Sequence, residues 1–550
     1  MILLSDLKAR SDIAGAVGYT YKSVAEIHLK SVSRWWLVAL AGCLLAGGCE
    51  THPVFIPEGS RRVIDRRILE YPDGFEAKVY LANLTCPTAF CFDESKNLIF
   101  AEGGIDGRDP HIRVVSPDGA ITAVYPVETR IPLVKPGFRI YGPVGGIVAY
   151  RGWIYVSHRD SHDRGVITAF TYGGDHKTII ADLPAQGDFG VTALAIPPLP
   201  VEPRLYFGVG AATNSGVVGL DNWEEGWARD HRQACDLAYQ PLSLLGFRFD
   251  AANPEASLFA PATLVTVPYA PLGTSDVTQI PGVQFPLQKP SGAIFSVALD
   301  GGDPKIEAWG VRDPEGLALD DFGAIYLTDR GMEVRGTRPV DNDPDALYQL
   351  TLRGSWLGWP DYSRSLDPID AQHPQYQPPS WMILPTGYPN VRFVIDHEGS
   401  KLSPPDRELL KAVFPWQSGA GKMTFFPQTG PFHSTRFEGQ VLVALWGDRA
   451  PFSTSGRPMP SPLPGYRIVR VDLTSHNGQV TDFMFNTDGG PASKLSEGRR
   501  EGLERPVDLK FGPDGNLYVL DFGQATFKHG HLKAENGTGK IFVLEPTAGH

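Results

Sequence analysis

The amino-acid sequence predicts an all-β fold, a six-bladed β-propeller with two long loop insertions. The main observation is a segment that recurs six times: an apolar strand, a turn rich in Asp, Pro and Gly, and a second strand that ends in a polar residue. Apolar and polar residues alternate within each strand, which is typical of half-buried β-strands. The 60 glycines and 48 prolines among 550 residues indicate many turns and few long helices.

Residues 1–48 have the layout of a signal peptide. Cationic residues precede an apolar run at 35–48, which is too short to span a bilayer. Two lipoprotein-type boxes, LAGC and AGGC, end at Cys43 and Cys49, so we expect cleavage before one of these cysteines and its lipidation. An ordinary cleaved signal peptide is the alternative. The first interpretation predicts an exported protein on the periplasmic or outer-membrane face of the cell envelope, which meets the membrane only through its lipid.

Charge and cysteine content restrict the partners and the compartment. Fifty Lys and Arg against 62 Asp and Glu give a formal net charge of −12, so there is no basic surplus for nucleic acid. An exported compartment permits disulfides. Cys86 and Cys91 are close in sequence, but five residues apart on a strand they point to opposite faces. A disulfide between them requires a turn at Pro87, and both alternatives remain open.

After a linker at 49–71, the propeller is predicted over residues 72–545. The six recurring hairpins span 90–104, 145–160, 191–210, 315–331, 423–448 and 507–523. A further strand pair follows most hairpins, which gives about four strands for each of six blades. The apolar faces of a blade are covered only by its neighbours, so the blades are expected to close into a ring. The last blade lacks an outer strand, which residues 74–83 are predicted to supply.

Two insertions lengthen the chain beyond a compact propeller. The first, near 211–290, splits the third blade, and the second, near 353–418, separates the fourth blade from the fifth. Residues 227–240 and 407–414 are the plausible short helices. Long loops of this kind either carry function or cover the ring, and the sequence leaves both open.

The topology of a propeller also predicts where a site lies. Residues just before the first strand of a blade and just after the second surround the same channel mouth, a concave place where polar groups converge. The polar residues at these positions are Arg312, Asp313, Glu315, Arg505, Asp508, Glu102, His158, Asp160, Asn214, Asp329, Arg330, Asp448 and Asp521.

Four segments resemble the soluble glucose dehydrogenase and sorbosone dehydrogenase family: DGFEAKVYLA, RDPEGLALDDFGAIYLTDRG, PGYRIVRVDL and RPVDLKFGPDGNLYVLDFG. The matches run in pieces over 72–545. The resemblance implies a six-bladed propeller that uses pyrroloquinoline quinone and calcium outside the cytoplasm. Such an enzyme oxidises a hydroxyl of a small-molecule sugar or alcohol and passes the electrons to an external acceptor.

The resemblance also implies roles for particular residues. Arg312 matches a family arginine, and Arg505 lies in the analogous place two blades later. Arginines suit the carboxylates of the cofactor because the planar guanidinium binds them in pairs. Asn214, Asp329 and Arg330 are further candidates for cofactor binding. Calcium needs several hard oxygen ligands, and Asp341, Asp343 and Asp345 offer a dense carboxylate group for it. A solvated acidic loop is the alternative.

One position departs from the family pattern. The histidine that acts as base in the family corresponds here to Phe189, which cannot accept a proton. Either His158 or His162 replaces that histidine, or the oxidation chemistry is lost. His158 is the preferred candidate, with Asp160 or Asp163 to orient it and Arg312 beside it in the catalytic group. Its alternative role is a hydrogen-bonded histidine in the channel wall.

Two other functions stay open. The same mouth could bind a glycan or a protein without catalysis. A gluconolactonase-like metal hydrolase would need acidic and Asn ligands in the channel, for which Glu102, Asn214, Asp329 and Asp521 are available. Binding of a quinone distinguishes the dehydrogenase from both.

Overall fold

The structure is a computed structural model that describes residues 52–547, except 127–137, 380–381, 383–390, 435, 460, 475–477, 495–500 and 529. The segment predicted as a signal peptide, with the boxes at Cys43 and Cys49, lies outside the described residues. No helix in the described part of the chain is long and apolar enough to cross a membrane.

Six sheets of four or five strands form a ring, so the predicted six-bladed β-propeller is confirmed. We number the blades 1 to 6 along the chain and give the strands from the channel outward. Blade 1 contains Pro87–Phe92, Leu98–Glu102, His111–Val115 and Ile121–Tyr125. Blade 2 contains Tyr141–Tyr150, Trp153–Arg159, Gly165–Phe170 and His176–Leu183. Blade 3 contains Val191–Ala195, Leu205–Val209, Ala293–Val297, Lys305–Trp309 and Ser355–Trp356.

The other three blades complete the ring. Blade 4 contains Gly316–Leu319, Ile325–Asp329, Asp345–Leu350 and Leu410–Phe414. Blade 5 contains Ala420–Phe425, Gln440–Leu445, Arg467–Asp472, Gln479–Asn486 and Leu69–Glu70. Blade 6 contains Pro506–Phe511, Leu517–Asp521, Gly539–Pro546, Phe75–Leu84 and Val54–Phe55. Each inner strand contacts the inner strand of the next blade, and that of blade 6 contacts that of blade 1.

The N-terminal part of the propeller closes blade 6. Phe75–Leu84 pairs antiparallel with Gly539–Pro546, with Ala77 opposite Leu544, as predicted for residues 74–83. The preceding segment is more than the predicted linker, because Val54–Phe55 and Leu69–Glu70 add outer strands to blades 6 and 5. These additions cover sheet edges that would otherwise expose unpaired backbone groups.

The first insertion splits blade 3 between Val209 and Ala293, as predicted. It begins with helices α1 (Leu220–Glu225) and α2 (Trp227–Asp230), so the helix predicted at 227–240 is a single turn. Two small ladders follow, which pair Leu242–Ser243 with Gln279–Ile280 and Phe249–Ala252 with Thr263–Thr266. A third ladder, Ala525–Lys528 with His531–Ala534, follows the second strand of blade 6.

The second insertion lies inside blade 4, not after it. The outer strand of that blade, Leu410–Phe414, pairs with Asp345–Leu350. The helix predicted at 407–414 is therefore wrong: a 3-10 turn at Arg407–Leu409 leads into the strand. Ala412 and Phe414 are buried while Val413 is exposed, an alternation that suits a strand. The other 3-10 turns are Glu58–Ser60, Pro374–Tyr376, Phe452–Thr454 and Ala492–Lys494.

Hydrophobic clusters fill the spaces within and between neighbouring blades. Cys86 and Cys91 are both free and buried, and they belong to different clusters. The local disulfide that the sequence left open does not form. Burial raises the pKa of the Cys86 thiol to about 11, so the thiol stays protonated at neutral pH.

Candidate functional site

A cavity of about 400 Å³ lies at the predicted channel mouth, a size typical of small-molecule sites. Loops before the inner strands and after the second strands surround it, together with α1, α2 and the ladder 525–534. Its aromatic lining consists of Phe189, Trp227, Trp446, Phe522 and Phe527, and its charged lining of Arg159, Asp188, Glu225, Asp313, Glu315, Arg330 and Arg449.

Arg335 is the centre of a buried ionic network behind this cavity. Its Nε lies 2.6 Å from Glu333 Oε2, its Nη1 lies 2.6 Å from Asp221 Oδ2, and its Nη2 lies 2.6 Å from Asp188 Oδ2. Asp188 also accepts hydrogen bonds from Asn222 Nδ2 and Trp227 Nε1. The first insertion is thus tied to the loop before blade 3 and to the loop after the second strand of blade 4.

Glu333 is shared by three guanidiniums. Besides Arg335, it lies 3.2 Å from Arg312 Nη2 and accepts a 3.0 Å hydrogen bond from Arg449 Nε. Burial alone would raise the pKa of Glu333, but the charges of Arg449, Arg312 and Arg335 lower it well below its usual range. Glu333 is therefore an ionised carboxylate that neutralises part of the wall.

Arg312 and Asn214 are hydrogen-bonded to each other inside this wall. Arg312 is 1% exposed, and its Nε and Nη2 donate to the Asn214 carbonyl oxygen and to Asn214 Oδ1 at 3.1 and 2.9 Å. The Phe189 ring lies over the Arg312 guanidinium, with 4.5 Å between the ring centroid and Cζ. Neither Arg312 nor Asn214 lines the cavity. The structure thus places both predicted cofactor ligands where protein groups already engage them.

Of the other three predicted cofactor ligands, two are also engaged by protein groups and one lines the cavity. Asp329 is fully buried and accepts from the backbone of Arg312 and Asp313 and from the Arg364 side chain. Arg505 packs over Trp446 at 4.1 Å and donates to the Asp448 carbonyl. Only Arg330 lines the cavity.

Arg330 contacts Asp313 at 3.4 Å and donates to the Ala420 carbonyl oxygen. Burial raises the pKa of Asp313 to about 6, although the charge of Arg330 opposes this. Buried Asp313 and half-buried Arg330 form an ion pair in the wall of the cavity.

His158 lines the cavity but is hydrogen-bonded on both ring nitrogens. Nδ1 lies 2.6 Å from the Arg159 carbonyl oxygen and Nε2 lies 2.8 Å from Thr168 Oγ1. Burial lowers the pKa of His158 to about 4, so the ring is neutral at pH 7. The prediction that Asp160 orients His158 is wrong, because Asp160 Oδ1 instead accepts from the backbone amides of His162 and Arg164.

The three carboxylates predicted to bind calcium are engaged by other protein groups. Asp341 forms two hydrogen bonds with Arg457, and Asp343 accepts from the amides of Met332 and Arg364. Asp345 accepts from the amides of Gly331 and Ala420 and from Ser418 Oγ. No group of three or more His, Cys, Asp or Glu within the described residues is arranged to hold a metal ion. This arrangement does not fit a calcium site.

Two buried polar atoms of residues that line the cavity have no protein partner. They are Arg159 Nε and Thr88 Oγ1. The Arg159 guanidinium makes one long hydrogen bond, 3.5 Å from Nη2 to the Gly187 carbonyl oxygen. Buried polar groups are usually satisfied, so unpaired ones at a cavity point to a missing ligand or water.

Sequence reasoning missed most of the residues that line the cavity. Arg159 directly follows His158 at a strand end, so the rule that identified His158 could have identified Arg159. Glu225 and Trp227 lie in the first insertion, where no strand pattern indicates their position.

No protein-family model and no curated protein matches this chain. Among solved structures, the PQQ domain of pyranose dehydrogenase from Coprinopsis cinerea is 15% identical at a TM-score of 0.48, covering 88% of this chain and 98% of that one. A Trichoderma reesei protein of Carbohydrate-Active Enzymes family AA12 is 14% identical at 0.47, covering 88% and 98%. The PQQ-bound aldose sugar dehydrogenase from Streptomyces coelicolor is 15% identical at 0.43, covering 86% and 99%. At these identities the likeness concerns the fold alone.

Proposed function

We propose that this protein is an extracytoplasmic, quinone-dependent dehydrogenase that oxidises a hydroxyl of a small sugar or alcohol. One observation carries the proposal: a cavity with aromatic walls at the channel mouth holds an arginine, Arg159, whose Nε has no protein partner. This combination suits a flat, anionic ring ligand, because guanidiniums bind carboxylates and aromatic faces pack on rings. The sequence resemblance to the sugar dehydrogenases agrees with such a ligand.

Pyrroloquinoline quinone fits the donors of this cavity. Arg159, Arg330 and Arg449 line it and would hold the carboxylates of the cofactor. When bound, the quinone supplies the hydride acceptor that hydroxyl oxidation needs. The roles first predicted for Arg312, Asn214 and Arg505 change: they stabilise the wall behind Phe189 and Trp446. The proposed chemistry does not use calcium, because Asp341, Asp343 and Asp345 are already engaged by other protein groups.

A direct assay tests this function. The purified mature chain, supplied with pyrroloquinoline quinone, is screened with aldoses and alcohols for reduction of an artificial external acceptor. We expect substrate-dependent reduction that needs the quinone. Quinone binding without turnover of any substrate would contradict the proposed dehydrogenase activity. No quinone binding at all would favour a propeller that binds a glycan or protein without catalysis.

The compartment is part of the same proposal. We infer export and lipid anchoring from the short apolar run and the boxes at Cys43 and Cys49. One acyl chain binds a membrane only marginally, so a stable anchor needs the several chains of a lipoprotein. Cells given a radioactive fatty acid should label the wild type but not a variant with both Cys43→Ala and Cys49→Ala. An unlabelled wild type would contradict the anchor.

A further inference from the structure

One ionic network in the wall of the cavity, around Arg335 and Glu333, contains more carboxyls than guanidiniums. We call this group the mouth cluster, and it consists of Arg312, Arg335, Arg449, Asp188, Asp221, Glu225 and Glu333. Four carboxylates against three guanidiniums would leave one excess negative charge. An unpaired buried charge is costly, and such a group usually becomes neutral by taking up a proton.

Of the four carboxyls, Glu225 lies farthest from the nearest nitrogen of Arg335. Asp188, Asp221 and Glu333 each lie 2.6 Å from a nitrogen of Arg335, whereas Glu225 Oε1 lies 3.8 Å from Arg335 Nη1. Protonation of Glu225 therefore gives up less attraction than protonation of the other three. Of the four, Glu225 is the group that should hold a proton.

The surroundings of Glu225 act in the same direction. Burial raises its pKa well above the usual value, and the negative charge of Asp188 and a hydrogen bond to it add to this rise. Arg335, from the loop after the second strand of blade 4, lowers the pKa, and Asp221 on α1 itself raises it. The ladder 525–534 presents the backbone of Gly530 to the Glu225 side chain.

Glu225 also reaches the space where a substrate would lie. It lines the cavity, and its side chain is 13% exposed. Arg159 Nε and Thr88 Oγ1, the unpartnered atoms of the same cavity, independently indicate a ligand there. Other possible proton acceptors in the lining already interact with protein groups. His158 is hydrogen-bonded on both ring nitrogens, Asp313 pairs with Arg330, and Glu315 contacts Lys422 at 3.3 Å.

We propose that Glu225 is the acid–base residue of this cavity, in the role left open by Phe189. The inference rests on the proposed dehydrogenase function. The ionised Glu225 carboxylate takes the proton as the substrate O–H bond breaks. The carbon that bears this hydroxyl loses a hydride, which carries two electrons to the quinone oxidant. The C–O single bond thereby becomes a carbonyl. Glu225 later releases its proton to water.

Kinetics test the catalytic role. The wild-type kcat/KM should rise with pH as Glu225 ionises. Glu225→Gln keeps the shape and should lower kcat by roughly 10²–10⁴-fold and flatten that rise. Glu224→Gln is the matched control, since Glu224 is the exposed neighbour on the same helix, and it should leave the profile unchanged. An unchanged profile in folded Glu225→Gln overturns the proposal.

Infrared spectroscopy tests the protonation itself, without cofactor or substrate. We expect the difference spectrum between the wild type and Glu225→Gln near neutral pH to contain a protonated-carboxyl band. The difference between the wild type and Glu224→Gln should lack this band. Absence of the band from the first difference spectrum overturns the inference. The band can behave as expected while neither the wild type nor any variant oxidises a substrate. In that case the proposed function fails, and the acid–base role fails with it. The protonation of Glu225 is then still established by the spectra.

Discussion

At the scale of single residues, Glu333 of the mouth cluster interacts with more charged side chains than a simple ion pair does. Glu333 is buried and contacts Arg312, Arg335 and Arg449. Glu333→Gln removes the shared charge and leaves three guanidiniums facing one another. Breaking a buried ion pair from one side typically costs about 3–5 kcal/mol. Urea unfolding should show a loss of this size in the free energy of unfolding.

The control for Glu333 is a surface glutamate with an arginine partner. Glu255 contacts Arg232 at 2.6 Å, with both side chains more than half exposed. Exposed pairs of this kind contribute little to the free energy of unfolding, because water and salt screen the charges. Equal losses for Glu255→Gln and Glu333→Gln would contradict the assigned role of Glu333.

His158 gives a prediction for acid stability. Its pKa is lowered by burial from 6.5 in a free side chain to about 4 in the fold. The unfolded chain therefore binds the proton first, so the stabilisation is complete above pH 6.5 and is lost as the pH falls toward 4. The loss is about 3 kcal/mol. Between these pH values, urea unfolding of the wild type should lose more stability than His158→Gln, and equal slopes would contradict the buried neutral ring.

At the scale of elements, the strand Phe75–Leu84 closes the ring between the two ends of the chain. Leu81 is fully buried in the cluster between blades 6 and 1. Leu81→Ala should lower the free energy of unfolding by about 2–5 kcal/mol, because it leaves a cavity. The same substitution at Leu352, which is 71% exposed, should change it by less than about 0.5 kcal/mol. A loss at Leu81 no larger than that at Leu352 would contradict closure by this strand.

The strands could be predicted from the sequence because their signal is local. Alternation in period two and turn residues at fixed places define each hairpin before any tertiary contact is known. The failure at 407–414 has a tertiary cause: pairing with Asp345–Leu350 turns a helix-like run into an outer strand. The insertions resisted prediction because ion pairs, such as those of Arg335 with Asp188 and Asp221, position α1.

At the scale of the whole molecule, the ring accounts for the position of the site and for the limits of sequence reasoning about it. The topology alone placed the mouth correctly, because every blade turns its loops toward the same channel end. The roles of Arg312, Asp329 and Arg505 depended instead on which side chains face inward, and all three side chains are engaged by other protein groups. Arg159 remains the arginine of the lining with an unpartnered Nε.

Isothermal titration of the purified protein with pyrroloquinoline quinone tests the central claim most directly. The wild type should bind one quinone per chain. Arg159→Ala should bind it roughly 10- to 100-fold more weakly, since a charge-assisted hydrogen bond contributes about 1.5–3 kcal/mol. Arg164→Ala, which removes a surface arginine paired with Asp182, should bind like the wild type. No binding by the folded wild type, or equal affinity in Arg159→Ala, would contradict the assignment of this cavity.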